Sequence, residues 1–442
     1  MRTPPRRRGR LAALALTLAT ASLLALTPTG GATAALPGTG AGPKPVPSPG
    51  AQAGRPFPAI ADPVPGGFGS WQELFTVQQR LNAAASSIKQ AADAAGHTGL
   101  TGIIAAPENR ELRVYWHGAV PADMRKHIEN RAAAVPVSVL PAEYSKAELG
   151  AEARRLLASG SVSLASTRAD GKGVDVRRAP GATVEKPAVG GVPAFTDPAA
   201  STAGSAPVPL SCADGAAYCR EDDISPYYAG ARTSGCTTGW PVRLRTGARA
   251  ILTAAHCGGS GTTAYDGGGD VMGTVENHDP FFDLESINTN ANGRMWDGWW
   301  QNSTFTKPVH GLGNSWVGNW ICMSGSRSGT LCGLQVTQVN ASNLASASSW
   351  PNWPYSVAAA HDASFGPGNG DSGGPTFDLT GDLERVIAKG SVSHGYGDAE
   401  VPCKGQPSSS TRKCYWLFAY TEVYTAFNDP ISPLFGSEVI TG

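Results

Sequence analysis

The sequence predicts an all-β C-terminal module, residues 210–442, preceded by a small α+β module at residues 67–178. Three observations carry this. Beyond residue 210 helical periodicity vanishes, Gly, Thr, Ser and Trp rise, and turn signals recur about every ten residues, the pattern of many short strands. Between 67 and 178 apolar residues recur at helical spacing and alternate with strand-like runs. All 8 cysteines lie C-terminal of residue 211, so only the second module is built for cross-links.

Residues 1–34 read as an export signal. Arg2, Arg6, Arg7, Arg8 and Arg10 form a basic start, residues 11–26 are apolar, and Ala32-Thr33-Ala34 offers small residues for cleavage. The apolar run is short for a membrane span and is followed by Pro and Gly. The mature chain is therefore expected to be secreted and free of the membrane, with the twin-arginine and general routes both open. Residues 35–66 form a Pro/Gly-rich linker, as in Pro43-Lys44-Pro45-Val46-Pro47, with nothing from which to build a core.

Within the first module, Leu74, Val77, Leu81 and Ile88 predict a helix over 71–95, ending near Gly96. Residues 102–106 and 112–116 read as strands joined by a polar turn. Helices follow over 121–134 and 145–158, with a strand over 137–140 between them. Residues 161–167 and 174–177 read as a hairpin around Asp170-Gly171. Residues 179–209 are again Pro, Ala, Gly and Ser, a linker exposed to cleavage. In the all-β module only the chain from about Tyr424 onward has room for a short terminal helix.

Charge divides along the same lines. Residues 36–204 carry 17 Lys and Arg against 14 Asp and Glu, a formal +3; residues 205–442 carry 13 against 21, a formal −8. An acidic module without clustered Lys and Arg has no means of holding phosphates, which excludes nucleic acid as a partner.

Two segments carry chemistry. Gly370-Asp371-Ser372-Gly373-Gly374-Pro375 lies downstream of Leu252-Thr253-Ala254-Ala255-His256-Cys257. A serine hydroxyl needs a base to take its proton and donors to hold an oxyanion. The glycines around Ser372 let consecutive N–H groups turn toward one point, and His256 stands beside a cysteine that can pin it. Both segments, in this order, resemble the catalytic motifs of the chymotrypsin-like (trypsin-fold) serine peptidases, in particular the secreted actinobacterial branch that includes the streptogrisins.

The resemblance implies two antiparallel β-barrels in residues 210–442 and a serine endopeptidase, a hydrolase of polypeptide substrates working through an acyl-enzyme, with no cofactor and no metal. His256 is then the general base, Ser372 the nucleophile, and the backbone N–H groups of Gly370 and Ser372 the oxyanion hole. The candidate aspartates between His256 and Ser372 are Asp266, Asp270, Asp279, Asp283, Asp297 and Asp362; Asp266 and Asp270 flank three glycines and Asp279 precedes Pro280, all turn habits. Asp283 follows Phe281-Phe282 and precedes Leu284 and Ile287, so it can enter a barrel interior, and it falls where related peptidases carry their aspartate. Asp279 is the alternative. Glu285 shares a strand face with Asp283 by alternation; two neighbouring carboxylates repel, so Glu285 is expected to twist out to solvent.

For substrate binding, the resemblance points to Gly366, Ser393 and Phe418. Gly366 stands where trypsin-like relatives place an acid, so a small or apolar pocket is expected. Ser393 matches a family serine that touches the buried aspartate, and its neighbour His394 is the nearest rival histidine. The loop holding Cys403 and Cys414 borders this region. Cysteine spacing suggests the bridges Cys212–Cys219, Cys236–Cys257, Cys322–Cys332 and Cys403–Cys414, and the family has a bridge at the second position. Residues 67–178 resemble pro-regions of bacterial peptidases, hence a zymogen whose own N-terminal module is its chaperone and inhibitor, and a monomer. A new N-terminus at Val189-Gly190-Gly191 lies too far from His256 for the digestive mode of activation.

Other readings are weaker. Zinc fails for want of a Cys-x2-Cys pair. Gly-x-Ser-x-Gly also fits an α/β-hydrolase esterase, but Pro375 and the flanking glycines oppose the helix that motif needs, and His394 follows too soon. An inactive fold used as a binding module would not need His256, Asp283 and Ser372 together. Trp296, Trp299 and Trp300 could stack on sugars, and Asp266 with Asp270 could meet calcium, although hairpin roles are the simpler reading of both.

Overall fold

The structure, a computed structural model, describes residues 63–178, 191–196, 219–301, 303, 305–343, 355–360 and 362–442. The expected export signal, most of both linkers and Cys212 lie outside the described residues.

Helix α1 (Trp71–Ala94) starts at Ser70, whose Oγ accepts the Glu73 N–H at 3.1 Å, while the Glu73 carboxylate accepts the Gly69 N–H at 2.9 Å. Strands β1 (Leu100–Ile104) and β2 (Leu112–His117) are antiparallel; β2 and β3 (Val137–Ala142) are parallel. A parallel pair needs a crossover, and α2 (Ala122–Ala132) supplies it. Helix α3 (Lys146–Ala158) opens on a reciprocal capping box of Ser145 and Glu148. Strands β4 (Val162–Thr167) and β5 (Val174–Arg178) close the expected hairpin, with Arg168 clamped on Asp170 at 2.7 Å across the turn. One expectation fails here. The stretch 179–209 is not linker throughout, because Ala194–Thr196 forms a strand parallel to β5, whose outer edge offers unpaired backbone groups.

The rest is all-β, as the sequence predicts. A six-stranded antiparallel sheet contains β6 (Pro241–Arg243), β7 (Arg249–Thr253), β8 (Thr263–Tyr265), β9 (Val271–Asp279) and β10 (Leu284–Asn288), in the order β8-β9-β10-β7-β6. Strands β11 (Ala291–Trp296) and β12 (Thr306–Leu312) lead into a closed six-stranded antiparallel barrel. Its strands are β13 (Trp320–Gly325), β14 (Gly329–Asn343), β15 (Tyr355–Ala360), β16 (Pro375–Leu379), β17 (Val386–Gly395) and β18 (Leu417–Glu422), hydrogen-bonded in the cycle β13-β14-β15-β18-β17-β16. Closure leaves this sheet without free edges among those six strands. The terminal helix α4 (Val423–Asn428) is only 6 residues long, since Asp429-Pro430 stops it. The chain then returns as β19 (Glu438–Val439), the sixth strand of the first sheet, against β6.

The α+β module is built onto the barrel. Strand β4 adds to β14 in antiparallel register, Ser166 opposite Ala341 and Leu164 opposite Asn343. From α1, Trp71, Leu74 and Phe75 enter one apolar cluster with Trp320, Phe377, Leu379 and Val386. Full burial of each such side chain is worth roughly 1.5–3 kcal/mol. Gln78, fully buried, accepts the Trp320 N–H at 2.7 Å and donates to the Trp320 carbonyl at 2.8 Å. It thereby reads the backbone of β13 as a strand partner would.

Candidate active site

The turn after β7 carries His256, and the Cys236–Cys257 disulfide ties it down. Asp283 sits at the head of β10 with φ +46°, a left-handed conformation unusual for an aspartate. That bend turns its carboxylate inward, where Asp283 is only 5% exposed. Its Oδ2 lies 2.9 Å from His256 Nδ1, and its Oδ1 accepts the His256 backbone N–H at 3.0 Å. Ser393 Oγ donates to Oδ2 at 2.5 Å. Burial alone would raise the Asp283 carboxyl, but the charge and hydrogen bond of His256, with the Ser393 bond, hold it below the usual aspartate value. For His256 burial works downward, yet the attraction and hydrogen bond of Asp283, with a further pull from Glu285, leave the imidazole above its ordinary value.

Ser372 lies in the tight turn before β16. Its Oγ donates to the Ser393 carbonyl at 3.5 Å rather than to the His256 ring, a slack arrangement common when no substrate is present. Gly370 has φ +95°, and a β-carbon there would meet the Arg327 side chain at 2.2 Å. Among the described residues the N–H groups of Gly370 and Ser372 donate to no protein acceptor, whereas the intervening Asp371 N–H is used by Gly368. Two free donors on either side of the nucleophile turn are suited to a developing oxyanion.

Asp371 is fully buried. Its Oδ1 accepts the N–H groups of Arg327 and Ser328, each at 3.0 Å; its Oδ2 accepts Gly368 N–H at 2.8 Å and Ser328 Oγ at 2.5 Å, with Arg412 at 3.4 Å. Arg412 comes from the Cys403–Cys414 loop, and nothing in the sequence marks it as a partner of residue 371.

The remaining sequence candidates separate. Asp279 is spent on its own turn, accepting from Phe281 and Phe282 N–H and from Ser432 Oγ. Asp297 pairs with Lys307, and Asp362 accepts from Ser364. Asp266 and Asp270 stand with Asp222, carboxylate oxygens within 4.8 Å of one another, in a corner of the β8–β9 hairpin. Trp296 and Trp300 are buried and Trp299 is exposed, so the three tryptophans do not form one stacking surface. His394 lies half-buried between Tyr355 and Tyr396, and desolvation takes its imidazole down to about 4.

Glu285 departs from expectation. It is 1% exposed, not turned to solvent, and its Oε2 accepts from His278 Nδ1 at 2.8 Å. Alternation placed it on the right face, but the repulsion argument lacked the imidazole that β9 brings beside it. Phe418 is fully buried in a cluster with Ile321, Phe365 and Tyr420, a core position. Gly366 packs instead against the strand Cys414–Tyr415, whose Tyr415 N–H donates to the Pro367 carbonyl at 2.9 Å. The Tyr415 ring lies against Gly395, where a β-carbon would come 2.1 Å from its Cδ2. Tyr415 therefore stands between the segment leading to Ser372 and the strand that carries Ser393. The Cys322–Cys332 and Cys403–Cys414 bridges form as the spacing suggests; Cys219 is also bridged, and Cys212 lies outside the described residues. No helix among the described residues is long and apolar enough to cross a membrane.

No family model matches the chain, and no curated protein matches it. Solved structures of actinobacterial proteases are similar to about half of it. A Nocardiopsis protease is 21% identical, covering 48% of this chain and 98% of that one, with a TM-score of 0.36. Protease A of Thermobifida fusca is 22% identical over 49% and 98%, with a TM-score of 0.35. A Cellulomonas bogoriensis chymotrypsin is 22% identical over 49% and 98%, with a TM-score of 0.34.

Proposed function

We propose that this chain is a secreted serine endopeptidase made as a pro-enzyme. One observation carries the reading: the buried Asp283 carboxylate bonds His256 Nδ1 and the His256 N–H at once, on the same strand edge, Ser393, that Ser372 touches. In the reaction Ser372 Oγ attacks the carbonyl carbon of a peptide and its proton passes to His256 Nε2. Asp283 holds the ring by Nδ1–H and stabilises the imidazolium. The Gly370 and Ser372 N–H groups receive the oxyanion. Collapse breaks the C–N bond, the amine leaves with the proton from His256, and water repeats the cycle on the acyl-enzyme. No step calls for a metal or cofactor.

Residues 67–178 act as pro-region. Supporting this are the β4–β14 pairing and the Gln78 contacts with Trp320, which template the barrel at two places distant in sequence. A barrel dominated by non-local pairings is slow to form, and a preformed partner strand lowers that barrier. The export signal and the disulfides support secretion. The placement of Tyr415 favours substrates with a small residue before the scissile bond. The test is casein hydrolysis by the protein secreted from its own signal. Activity that is abolished in Ser372→Ala and in His256→Ala supports the reading; activity retained in either removes it.

A further inference from the structure

Beside the His256–Asp283 pair lies a second carboxylate–imidazole pair that the reaction above does not use. Glu285 stands on β10 two residues after Asp283 and opposite Thr253 of β7, which leads directly into the His256 turn. Its Oε2 bonds His278 of β9. The β9–β10 register slips between Glu276 and Asp279, and the slip brings His278 beside Glu285. Its Oε1 lies under the turn itself: a β-carbon on Gly258 would fall 2.4 Å away, so the backbone just after His256 comes close to this carboxylate. A buried acid is normally neutral or paired. Here one oxygen, Oε2, is taken by His278, while the other, Oε1, lies against the backbone just after His256.

We propose that Glu285 and His278 are positioning residues of the active site. His278 favours the ionised form of Glu285 against its burial, and Glu285 in that form adds a second negative charge beside His256, favouring the imidazolium that forms when Ser372 gives up its proton. The titratable groups facing Glu285 are His278 from β9, His256 from the turn after β7, and Asp283 at the head of its own strand; β7 itself presents only Thr253. His256 in turn faces Asp283, Glu285 and the neutral His394.

This rests on the peptidase reading for its consequence, but its test needs no turnover. In full-length chain carrying Ser372→Ala, with histidines isotopically labelled, the titration midpoint of His256 is followed by NMR. Glu285→Gln keeps the shape and removes the charge; the midpoint should fall by about half a unit or more. His278→Ala should lower it as well, because Glu285 then takes up a proton at higher pH, and His278→Asn, which restores a donor, should recover most of the loss. In the protein with Ser372 intact, the acidic limb of kcat/KM should move to lower pH in Glu285→Gln by the same amount. An unchanged His256 midpoint in both Glu285→Gln and His278→Ala, in protein with native melting behaviour, overturns the proposal. A protein that hydrolyses no peptide but shows these shifts would remove the peptidase reading and leave the electrostatic coupling standing.

Discussion

The carboxylate of Asp371 and the guanidinium of Arg412 meet 3.4 Å apart with almost no exposure, one residue from Ser372. The turn that holds Gly370 and Ser372 is thus braced from within by the Cys403–Cys414 loop. Removing one member of a buried pair leaves the other charge stranded, a loss of about 3–5 kcal/mol. Arg412→Ala should therefore lower the melting temperature and reduce kcat/KM together, and Asp371→Asn, which strands the Arg412 charge and sets an amide N–H2 against groups that only donate, should do the same. Thermal melts and peptide kinetics on the same preparations decide this.

On the proposed mechanism His256 must be neutral to accept the Ser372 proton. Since His256 is held above its ordinary value of about 6.5, kcat/KM should rise with pH through a midpoint above about 6.5. The same shift affects stability: the part owed to charged His256 is complete below about 6.5 and is lost as pH rises through the raised value. The part owed to Asp283 runs the other way, present above about 3.9 and lost as pH falls through its depressed value. Asp283→Asn should abolish the second effect and lower kcat on the order of 10⁴. A pH series of melts and rates checks both limbs.

Tyr415 closes on Gly395 where the side chain before the scissile bond is expected to lie. Tyr415→Ala should raise kcat/KM for Phe or Leu at that position relative to Ala by about 10-fold or more, the usual worth of a few methylenes of room. A peptide library read by mass spectrometry shows the preference directly; an unchanged profile would place the pocket elsewhere.

On the proposed pro-region role, Gln78 acts on folding and not on chemistry. Gln78→Ala removes its two buried hydrogen bonds to the Trp320 backbone, a cost of about 1–3 kcal/mol in the joined chain. The yield of active enzyme should drop, while kcat/KM of the enzyme that does mature should match wild type. Titration of active sites in secreted material separates yield from rate.

Much of this was legible in residues that act locally. His256 and Ser372 are flagged by their own neighbours, Asp283 by the apolar residues around it, and α1 by the spacing of Leu74, Leu81 and Ile88. What was not legible depends on partners far away in sequence. Arg412 reaches Asp371 only because a loop folds back under the nucleophile turn. Ala194–Thr196 becomes a strand only because β5 has an open edge. Glu285 is expected at the surface and is buried instead, because its partner His278 comes from another strand that no periodicity announces.

The central claim is that Ser372 is a nucleophile activated by His256. The most direct measurement is labelling by a fluorophosphonate, followed by digestion and mass analysis of the peptide containing residue 372. The account predicts one adduct per molecule, on Ser372, lost in His256→Ala although the serine remains. Modification of another residue, or undiminished labelling in His256→Ala, would contradict it.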